Sequence, residues 1–309
     1  MTVYQPTIKQ LQYLVALRHH GHFGRAADAC FVTQSTLSAG LRELEAQLGV
    51  ILVERTRRVV RFTALGERIA DKADRVIQEA EELTEMARSE GKPLHGELRL
   101  GVIPTIAPFL LPAMLPKLRA EWPDLKLYLR EETSQTACEA LHRGRLDCVL
   151  LALPYNCGDV DAQILFEDRL FVAFPHGEAP GGAAVDVAAI DENRMLLLED
   201  GHCLKDHALS ACNRPEMRAN ASMMGTSLHT LVQMVDNGLG VTFIPSMAID
   251  AGILEGTAIE AKPLSSDHGF RNIALIWRRS SARQSEFQLL AGALRRIIRD
   301  LGPDRKAPR

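Results

Sequence analysis

The chain of 309 residues is 46% hydrophobic and 24% charged with a formal net charge of −3, a balance typical of folded proteins with two or three domains. No apolar run approaches the roughly 18 residues of a bilayer-spanning helix, and the N-terminus has no secretory-signal pattern, so we expect a cytoplasmic protein with no membrane partner. Residues 1–66 nevertheless carry eight Lys or Arg against four Asp or Glu, a local excess of four positive charges. This excess predicts contact with a polyanion, and the alternative is a solvated surface turn.

The first third of the chain predicts three short helices. Apolar residues at helical spacing indicate one helix around residues 11–17, and small residues indicate a second one that opens at residues 22–27. A break at Phe31–Thr33 precedes a third helix over residues 34–45. One face of this third helix is apolar: Leu37, Leu41 and Leu44. Helix, tight turn and helix in this order predict a helix-turn-helix, and the alternative is another kind of small three-helix domain.

The start of the third helix carries side chains that suit a DNA groove. Thr33 is its predicted N-cap. Contacts with base edges and phosphates are predicted for the exposed residues of its first turns: Gln34, Ser35, Thr36, Ser38 and Arg42. Two β-branched runs around a basic turn then predict a hairpin wing on the phosphate backbone. Its basic residues are Arg55, Arg57 and Arg58.

Together these segments resemble the signature of the LysR-type transcriptional regulators. The matching residues are Ala26-Ala27, 34–38, Leu44-Glu45, Leu48-Gly49, 52–55 and 62–66. The resemblance covers about residues 1–300 and implies double-stranded DNA as a partner. It also implies three parts: a winged helix-turn-helix DNA-binding domain over residues 1–64, a linker helix over 65–90 and a regulatory domain over 92–309.

The linker region carries a heptad pattern that predicts a dimer. Apolar residues step by four and three along one seam: Ile69, Ala73, Val76, Ala80 and Leu83. Packing on the rest of the same chain is the alternative. The family resemblance favours a homodimer or homotetramer, and paired recognition helices imply an operator with two-fold symmetry.

Strands and helices alternate beyond residue 93, which predicts α/β domains with mostly parallel sheet. The predicted strands cover residues 97–103, 125–131, 147–152, 170–174, 195–198, 240–244 and 273–278. The predicted helices cover about residues 109–118, 134–143, 203–212, 227–237 and 283–300. The family resemblance implies a two-lobed, periplasmic-binding-protein-like domain with a ligand cleft. Lobe I would cover about residues 92–164 and 268–300, and lobe II about 165–267.

Residues 196–212 resemble the redox motif of the hydrogen-peroxide-sensing OxyR subfamily. Cys203 follows a strand and a glycine turn, in the first turn of a predicted helix. We expect the helix N-terminus, His202 and Lys205 to lower the pKa of the Cys203 thiol, whereas Asp206 opposes them. Cys203 would be the peroxidatic cysteine and Cys212 the resolving one.

Formation of a Cys203–Cys212 disulfide requires a change of structure. The two residues are nine positions apart, about 13.5 Å along a continuous helix, whereas a disulfide needs Cα atoms within about 7 Å. The helix must therefore unwind, and oxidation would act as a conformational switch. Core packing is the alternative for both cysteines, and it is the interpretation we adopt for the other four: Cys30, Cys138, Cys148 and Cys157. A cytoplasmic setting does not favour a disulfide framework.

Further site residues follow from the resemblance position by position. A peroxide pocket beside Cys203 would include Thr105, Ser134, His202 and Asp206, with Thr133 as the competing choice for Ser134. Arg271 matches a basic residue that stabilises one redox state. Residues 222–224 depart from the family pattern, which has a histidine and an aromatic residue there.

Three functions are consistent with these sequence features. The favoured one is a peroxide-sensing transcription factor that controls antioxidant genes, for which RNA polymerase is a further implied partner. The second is a LysR-type regulator that answers a small organic effector in the cleft beside Thr105. The third is an enzyme, either a thiol peroxidase or a Cys-His hydrolase, and an N-terminal third devoted to DNA binding argues against it. The sequence carries no metal-ligand spacing and no phosphate loop, so we expect neither a metal nor a cofactor.

Overall fold

The computed structural model describes residues 5–55, 60–89, 93–186, 190–211, 223–265 and 269–300. The chain divides into two compact units, Met1–Gly91 and Lys92–Arg309. Within the described ranges, no helix is long and apolar enough to cross a membrane.

The N-terminal unit is a winged helix-turn-helix, as predicted. Its elements are α1 (Ile8–His20), α2 (Phe23–Ala29), α3 (Gln34–Leu48), β1 (Val53–Arg55), β2 (Val60–Phe62) and α4 (Ala64–Ser89). Gly21 and Gly49, with φ of 60° and 67°, end α1 and α3 in the left-handed conformation that glycine adopts without strain. The strands pair antiparallel, so that Val53 lies opposite Phe62. The core is formed by apolar faces of the helices, including Leu14, Leu17, Leu37, Leu41 and Leu44.

Helix α4 packs its first half on the same unit. Ala70, Ala73 and Ile77 are buried in the core there, and Arg18 of α1 forms a 2.6 Å ion pair with Asp71. The residues of the predicted heptad seam therefore fall into a packed group and an exposed group. Its early members, Ile69 and Ala73, pack within this chain, whereas Val76 and Leu83 are 40% and 70% exposed.

The C-terminal unit is a mixed α/β structure. Its strands are β3 (Gly96–Val102), β4 (Leu125–Glu131), β5 (Cys148–Leu153), β6 (Val160–Phe174), β7 (Leu196–Leu198), β8 (Met223–Gly225), β9 (Thr242–Pro245), β10 (Glu260–Pro263) and β11 (Phe270–Arg278). Its helices are α5 (Ala107–Glu121), α6 (Ser134–His142), α7 (Cys203–Ala211), α8 (Leu228–Asp236), α9 (Ser246–Asp250) and α10 (Gln284–Arg299). The large sheet has the order β10-β6-β11-β5-β3-β4, with β9 also paired to β6.

The expectation of a mostly parallel sheet was wrong for this unit. β3 pairs parallel with β4 and β5, but β11 runs antiparallel to both β5 and β6. The physical reason is β6, a strand of 15 residues that is long enough to pair antiparallel with three strands, β9, β10 and β11. Only its last five residues, 170–174, were predicted, because Asp161, Gln163 and Glu167 interrupt the apolar pattern before them. The long β11 then returns alongside β6 and completes the sheet beside β5.

Candidate redox site and nucleic-acid interface

Cys203 is the first residue of α7 and is almost completely buried, with 1% of its surface exposed. The strand β7 precedes α7 in the chain, and Gly201, with φ of 94°, makes the turn between them. The predicted position in the first turn of a helix is therefore observed.

The expected direction of the Cys203 pKa was wrong. Burial raises the pKa of this thiol above its ordinary value of 9.0, because the thiolate loses its hydration. The charge of Arg271, the Ser134 hydroxyl and the backbone N–H of Ala152 act in the opposite direction and lower it. Lys205, which we expected to stabilise the thiolate, instead donates to the Asp200 carboxylate at 2.7 Å.

Ser134, rather than Thr133, faces the Cys203 sulfur. Its side chain is 1% exposed, and apart from this sulfur the hydroxyl has no hydrogen-bond partner among the residues that the structure describes. Thr133 caps α6 instead, where its hydroxyl accepts from the backbone N–H of Thr136. A buried hydroxyl with unused hydrogen-bonding capacity is available to a small polar ligand at the sulfur.

Arg271 lies at the centre of a buried polar network. Its guanidinium pairs with the Asp168 carboxylate at 3.0 Å, and both side chains are 0% exposed. The same group donates to the hydroxyl of Thr105 at 2.8 Å and to its carbonyl at 3.0 Å. Asp168 also accepts from the Ser246 hydroxyl and the Met247 N–H, at 2.9 and 3.0 Å. Thr105 and Arg271 thus hold each other in place near Cys203.

Two buried histidines belong to the same region. His207 donates from Nε2 to the carbonyl of Pro154 at 2.9 Å, and its Nδ1 has no partner in the described part of the chain. Burial lowers the pKa of His207 to about 4, so the ring is neutral at physiological pH. Burial also lowers the pKa of His202, against the opposing charge of Glu199.

Tyr155 lies close to Cys203. Burial raises its pKa, as do the nearby negative charges of the Cys203 thiolate, Asp206 and Glu139. Asp206 is therefore close to both Tyr155 and Cys203.

The cysteines depart from the sequence prediction in one respect. Cys138 and Cys157, which we expected to be separate core residues, form a disulfide with a Cα–Cα distance of 5.4 Å. The reason is spatial: α6 and the segment between β5 and β6 meet, although 19 residues separate the cysteines in sequence. Cys148 is a free, buried thiol, and Cys30 is free and partly exposed. Cys212 lies outside the described residues.

Helix α3 presents a polar face away from the core. Thr33 caps it, as predicted, by accepting from the backbone N–H of Thr36 at 3.2 Å. Leu37, Leu41 and Leu44 are buried. The opposite face is exposed or partly exposed and carries the predicted DNA contacts Gln34, Ser35, Thr36, Ser38 and Arg42.

Glu45 of α3 fixes the start of the wing by hydrogen bonds to its backbone. The Glu45 carboxylate accepts from the backbone N–H groups of Leu52 and Val53, at 2.9 and 3.1 Å. β1 ends at Arg55, which pairs with Val60 at the end of the hairpin nearest the turn. Arg57 and Arg58 lie outside the described residues.

Several residues of the redox site were not found by sequence reasoning. Asp168, Ser246, Tyr155 and His207 were not assigned, and the Ala152 N–H cannot be identified from a side-chain pattern. One sequence signal pointed to Asp168, which is a carboxylate just before the apolar residues 170–174 of the same strand. Its register opposite Arg271 follows only from the pairing of β6 with β11.

Two family models match the chain. The "Bacterial regulatory helix-turn-helix protein, lysR family" model matches residues 8–67, and the "LysR substrate binding domain" model matches residues 91–299.

Individual relatives match almost the whole length of the chain. The HTH-type transcriptional regulator EstR of Acinetobacter baylyi is 40% identical over 96% of this chain and 98% of its own. The hydrogen peroxide-inducible genes activator of Haemophilus influenzae is 39% identical over 93% and 95%. Among solved structures, a cysteine-to-aspartate variant of full-length OxyR from Pseudomonas aeruginosa matches with a TM-score of 0.77 and 33% identity over 99% of both chains.

Proposed function

Because the chain belongs to the LysR family of bacterial transcriptional regulators, we propose that it is a DNA-binding regulator switched by hydrogen peroxide through Cys203. The observation that carries this proposal is the buried Cys203 thiol beside the Ser134 hydroxyl and the Thr105–Arg271 pair. Relatives named for hydrogen peroxide at 37–39% identity support the same signal.

The pocket chemistry suits a small, uncharged oxidant. Hydrogen peroxide both donates and accepts hydrogen bonds, and the Ser134 and Thr105 hydroxyls have the same capacity. The Arg271 charge favours the Cys203 thiolate and the negative charge that develops on the departing oxygen. Thr105 and Ser134 would orient the peroxide, and Arg271 would stabilise the charge.

The reaction is a two-step oxidation. The Cys203 sulfur attacks one peroxide oxygen, the O–O bond breaks, and the other oxygen leaves as water after taking up a proton, so that the thiol becomes a sulfenic acid. The Cys212 thiol then attacks this sulfur and releases a second water, which leaves a disulfide.

Helix α7 makes this second step a conformational switch. Ala211 is eight residues after Cys203, about 12 Å along the helix axis. Cys212 is the next residue, and one Cα–Cα step of about 3.8 Å can bring its Cα no nearer than about 8 Å to the Cα of Cys203 while α7 persists. A disulfide requires the two Cα atoms to be within about 7 Å. Oxidation would therefore unwind α7 and rearrange the part of the molecule that carries it.

DNA binding is assigned to the N-terminal unit. The polar face of α3 would enter the major groove, and the wing with Arg55, Arg57 and Arg58 would contact phosphates. The exposed face of α4 at Val76 and Leu83 supports a dimer on an operator with two-fold symmetry. We place the protein in the cytoplasm as a homodimer or homotetramer that acts with RNA polymerase on antioxidant genes.

DNA footprinting with and without peroxide tests the proposal. The wild-type footprint on its own promoter region should change length or position after one equivalent of peroxide and return after dithiothreitol treatment. Cys203→Ser should remove this response, whereas Cys30→Ser should retain it. If Cys203→Ser still responds, or if the wild type responds only to an organic metabolite, the peroxide switch is excluded and the cleft beside Thr105 becomes the effector site.

A further inference from the structure

A second pair of cysteines lies next to the redox site. The Cys138–Cys157 disulfide joins the middle of α6 to the segment between β5 and β6. Neither residue takes part in the reaction of Cys203 and Cys212 as proposed above.

The two joined segments are held together at another point as well. His142, the last residue of α6, donates a hydrogen bond from its ring to the backbone carbonyl of Cys157. This bond does not depend on the oxidation state of the sulfurs. When the disulfide opens, it keeps the segments close, so that the two thiols can recombine.

Both joined segments also contact the surroundings of Cys203. Helix α6 begins at Ser134, whose hydroxyl faces the Cys203 sulfur. At the end of β5 the Ala152 N–H points to the same sulfur, and the Pro154 carbonyl accepts from His207 of α7. The disulfide thus joins two sides of the pocket that hold the reactive thiol.

Tyr155 lies within electrostatic range of residues at both cysteine sites. The pKa of Tyr155 is raised by the charge of Glu139, the neighbour of Cys138 on α6. The charges of Cys203 and Asp206 on α7 raise it as well. A shift of α6 relative to residues 154–157 would therefore move Tyr155 and Ser134 relative to the reactive sulfur.

We propose that Cys138 and Cys157 form a second, reversible thiol–disulfide site, which sets how fast Cys203 reacts with peroxide. The oxidant and reductant are a low-molecular-weight disulfide and its thiol, such as the two forms of glutathione. Two protein thiols and one small disulfide give one protein disulfide and two small thiols, with two electrons and two protons transferred.

The setting supports a reversible site rather than a permanent crosslink. Cys138 and Cys157 are buried, with 7% and 5% exposure, although less completely than Cys148 with 0%. This step rests on the proposed function, because a cytoplasmic regulator works where disulfides are usually transient and redox-sensing. With the disulfide closed, Ser134 and the Ala152 N–H are fixed toward Cys203, and with it open they are held less firmly.

The first experiment examines the pair without the peroxidatic cysteine. The Cys203→Ser chain is equilibrated in glutathione buffers of increasing reducing strength, its free thiols are alkylated, and the peptides with Cys138 and Cys157 are measured by mass spectrometry. We expect a reversible change from a linked to an unlinked pair within the buffer series. A pair that is never linked, or that stays linked across the whole glutathione series while the chain is folded, would overturn the inference.

The second experiment measures the effect on Cys203. We expect the rate of Cys203 sulfenic-acid formation with peroxide to be about fivefold to tenfold lower in Cys138→Ser/Cys157→Ser than in the wild type, the size of one weakened hydrogen bond to a charged group. Wild-type protein in which only the Cys138–Cys157 pair is reduced should show the same decrease in the rate of Cys203 oxidation. This comparison excludes an effect of the substitutions on folding. Cys30→Ser is the matched control and should react as the wild type does.

The outcomes separate the two proposals. If Cys203 reacts with peroxide at equal rates whether the second pair is linked or not, the second site does not act on it, and this inference fails while the proposed function stands. If Cys203 does not react in any form, the proposed function fails, whatever the state of Cys138 and Cys157.

Discussion

Ser134 and Thr133 are neighbours with different tasks. Ser134 lowers the pKa of the buried Cys203 thiol, whereas Thr133 caps α6. Ser134→Ala removes a hydroxyl that favours the thiolate, so the pKa of Cys203 should rise further and the midpoint of its alkylation-rate profile should move to higher pH. Thr133→Ala should leave that midpoint unchanged and destabilise the fold by about 1 kcal/mol, the usual effect of losing an N-cap. A midpoint that moves with Thr133→Ala alone would contradict the assignment of the two residues.

Arg271 and Asp168 form an ion pair with no exposed surface. Arg271→Met leaves a buried carboxylate without its cation, and we expect the free energy of unfolding to fall by about 3–5 kcal/mol in urea titrations. Asp168→Asn/Arg271→Met removes both charges, and the asparagine oxygen can still accept from Ser246 and Met247. The double variant should therefore be more stable than Arg271→Met. Additive losses in this double-mutant cycle would mean that the two charges do not interact.

His207 makes stability depend on pH. Its pKa is lowered to about 4 in the folded chain from an ordinary value of 6.5, so the unfolded chain binds the proton more readily between these values. The contribution of His207 is therefore present above pH 6.5 and is lost as the pH falls toward 4. From pH 7 to pH 5 this loss is about 2 kcal/mol.

The neutral variant His207→Asn tests this dependence. Its free energy of unfolding should fall less between pH 7 and pH 5, by about 2 kcal/mol relative to the wild type. His176→Asn is the control, because the His176 side chain is 81% exposed, and it should follow the wild type. An unchanged slope in His207→Asn would show that this ring already protonates at its ordinary pH.

At the level of single elements, α4 carries a prediction about assembly. Its first half packs on its own unit, but Leu83 is 70% exposed. Leu83→Glu should not change the stability of a monomer. It places two carboxylates in a two-fold interface and should weaken the dimer about a hundredfold or more, since each buried leucine contributes roughly 2 kcal/mol. Sedimentation equilibrium measures this, with the exposed Glu79→Gln as control. A dimer of unchanged affinity would place the interface elsewhere.

The elements that could be predicted are those with a local signal. The cap at Thr33, the leucine face of α3 and the start of α7 at Cys203 all follow from residues a few positions apart, and all three are observed. The first ten residues of β6 were missed because buried and exposed positions do not alternate regularly along them. Its direction depends on pairing with β11, more than 100 residues away, which no local pattern encodes.

At the scale of the whole molecule, the redox site combines residues from distant parts of the second unit. Thr105, Ser134, Cys203 and Arg271 were named from the family resemblance, and the structure brings them together. The direction of the Cys203 pKa could not be predicted, because burial is a property of the finished fold and here outweighs the neighbouring charges. The Cys138–Cys157 disulfide was missed for the same reason, since only the fold places α6 against the end of β5.

Non-reducing peptide mass spectrometry after a brief stoichiometric pulse of peroxide decides whether Cys203 is a redox switch. We predict that a linked peptide pair with Cys203 and Cys212 appears within the pulse, that dithiothreitol removes it, and that Cys30 and Cys148 remain alkylatable. Folded wild-type protein in which Cys203 and Cys212 both stay fully alkylatable after the pulse would contradict the account, because Cys203 would then be only a buried residue of the core.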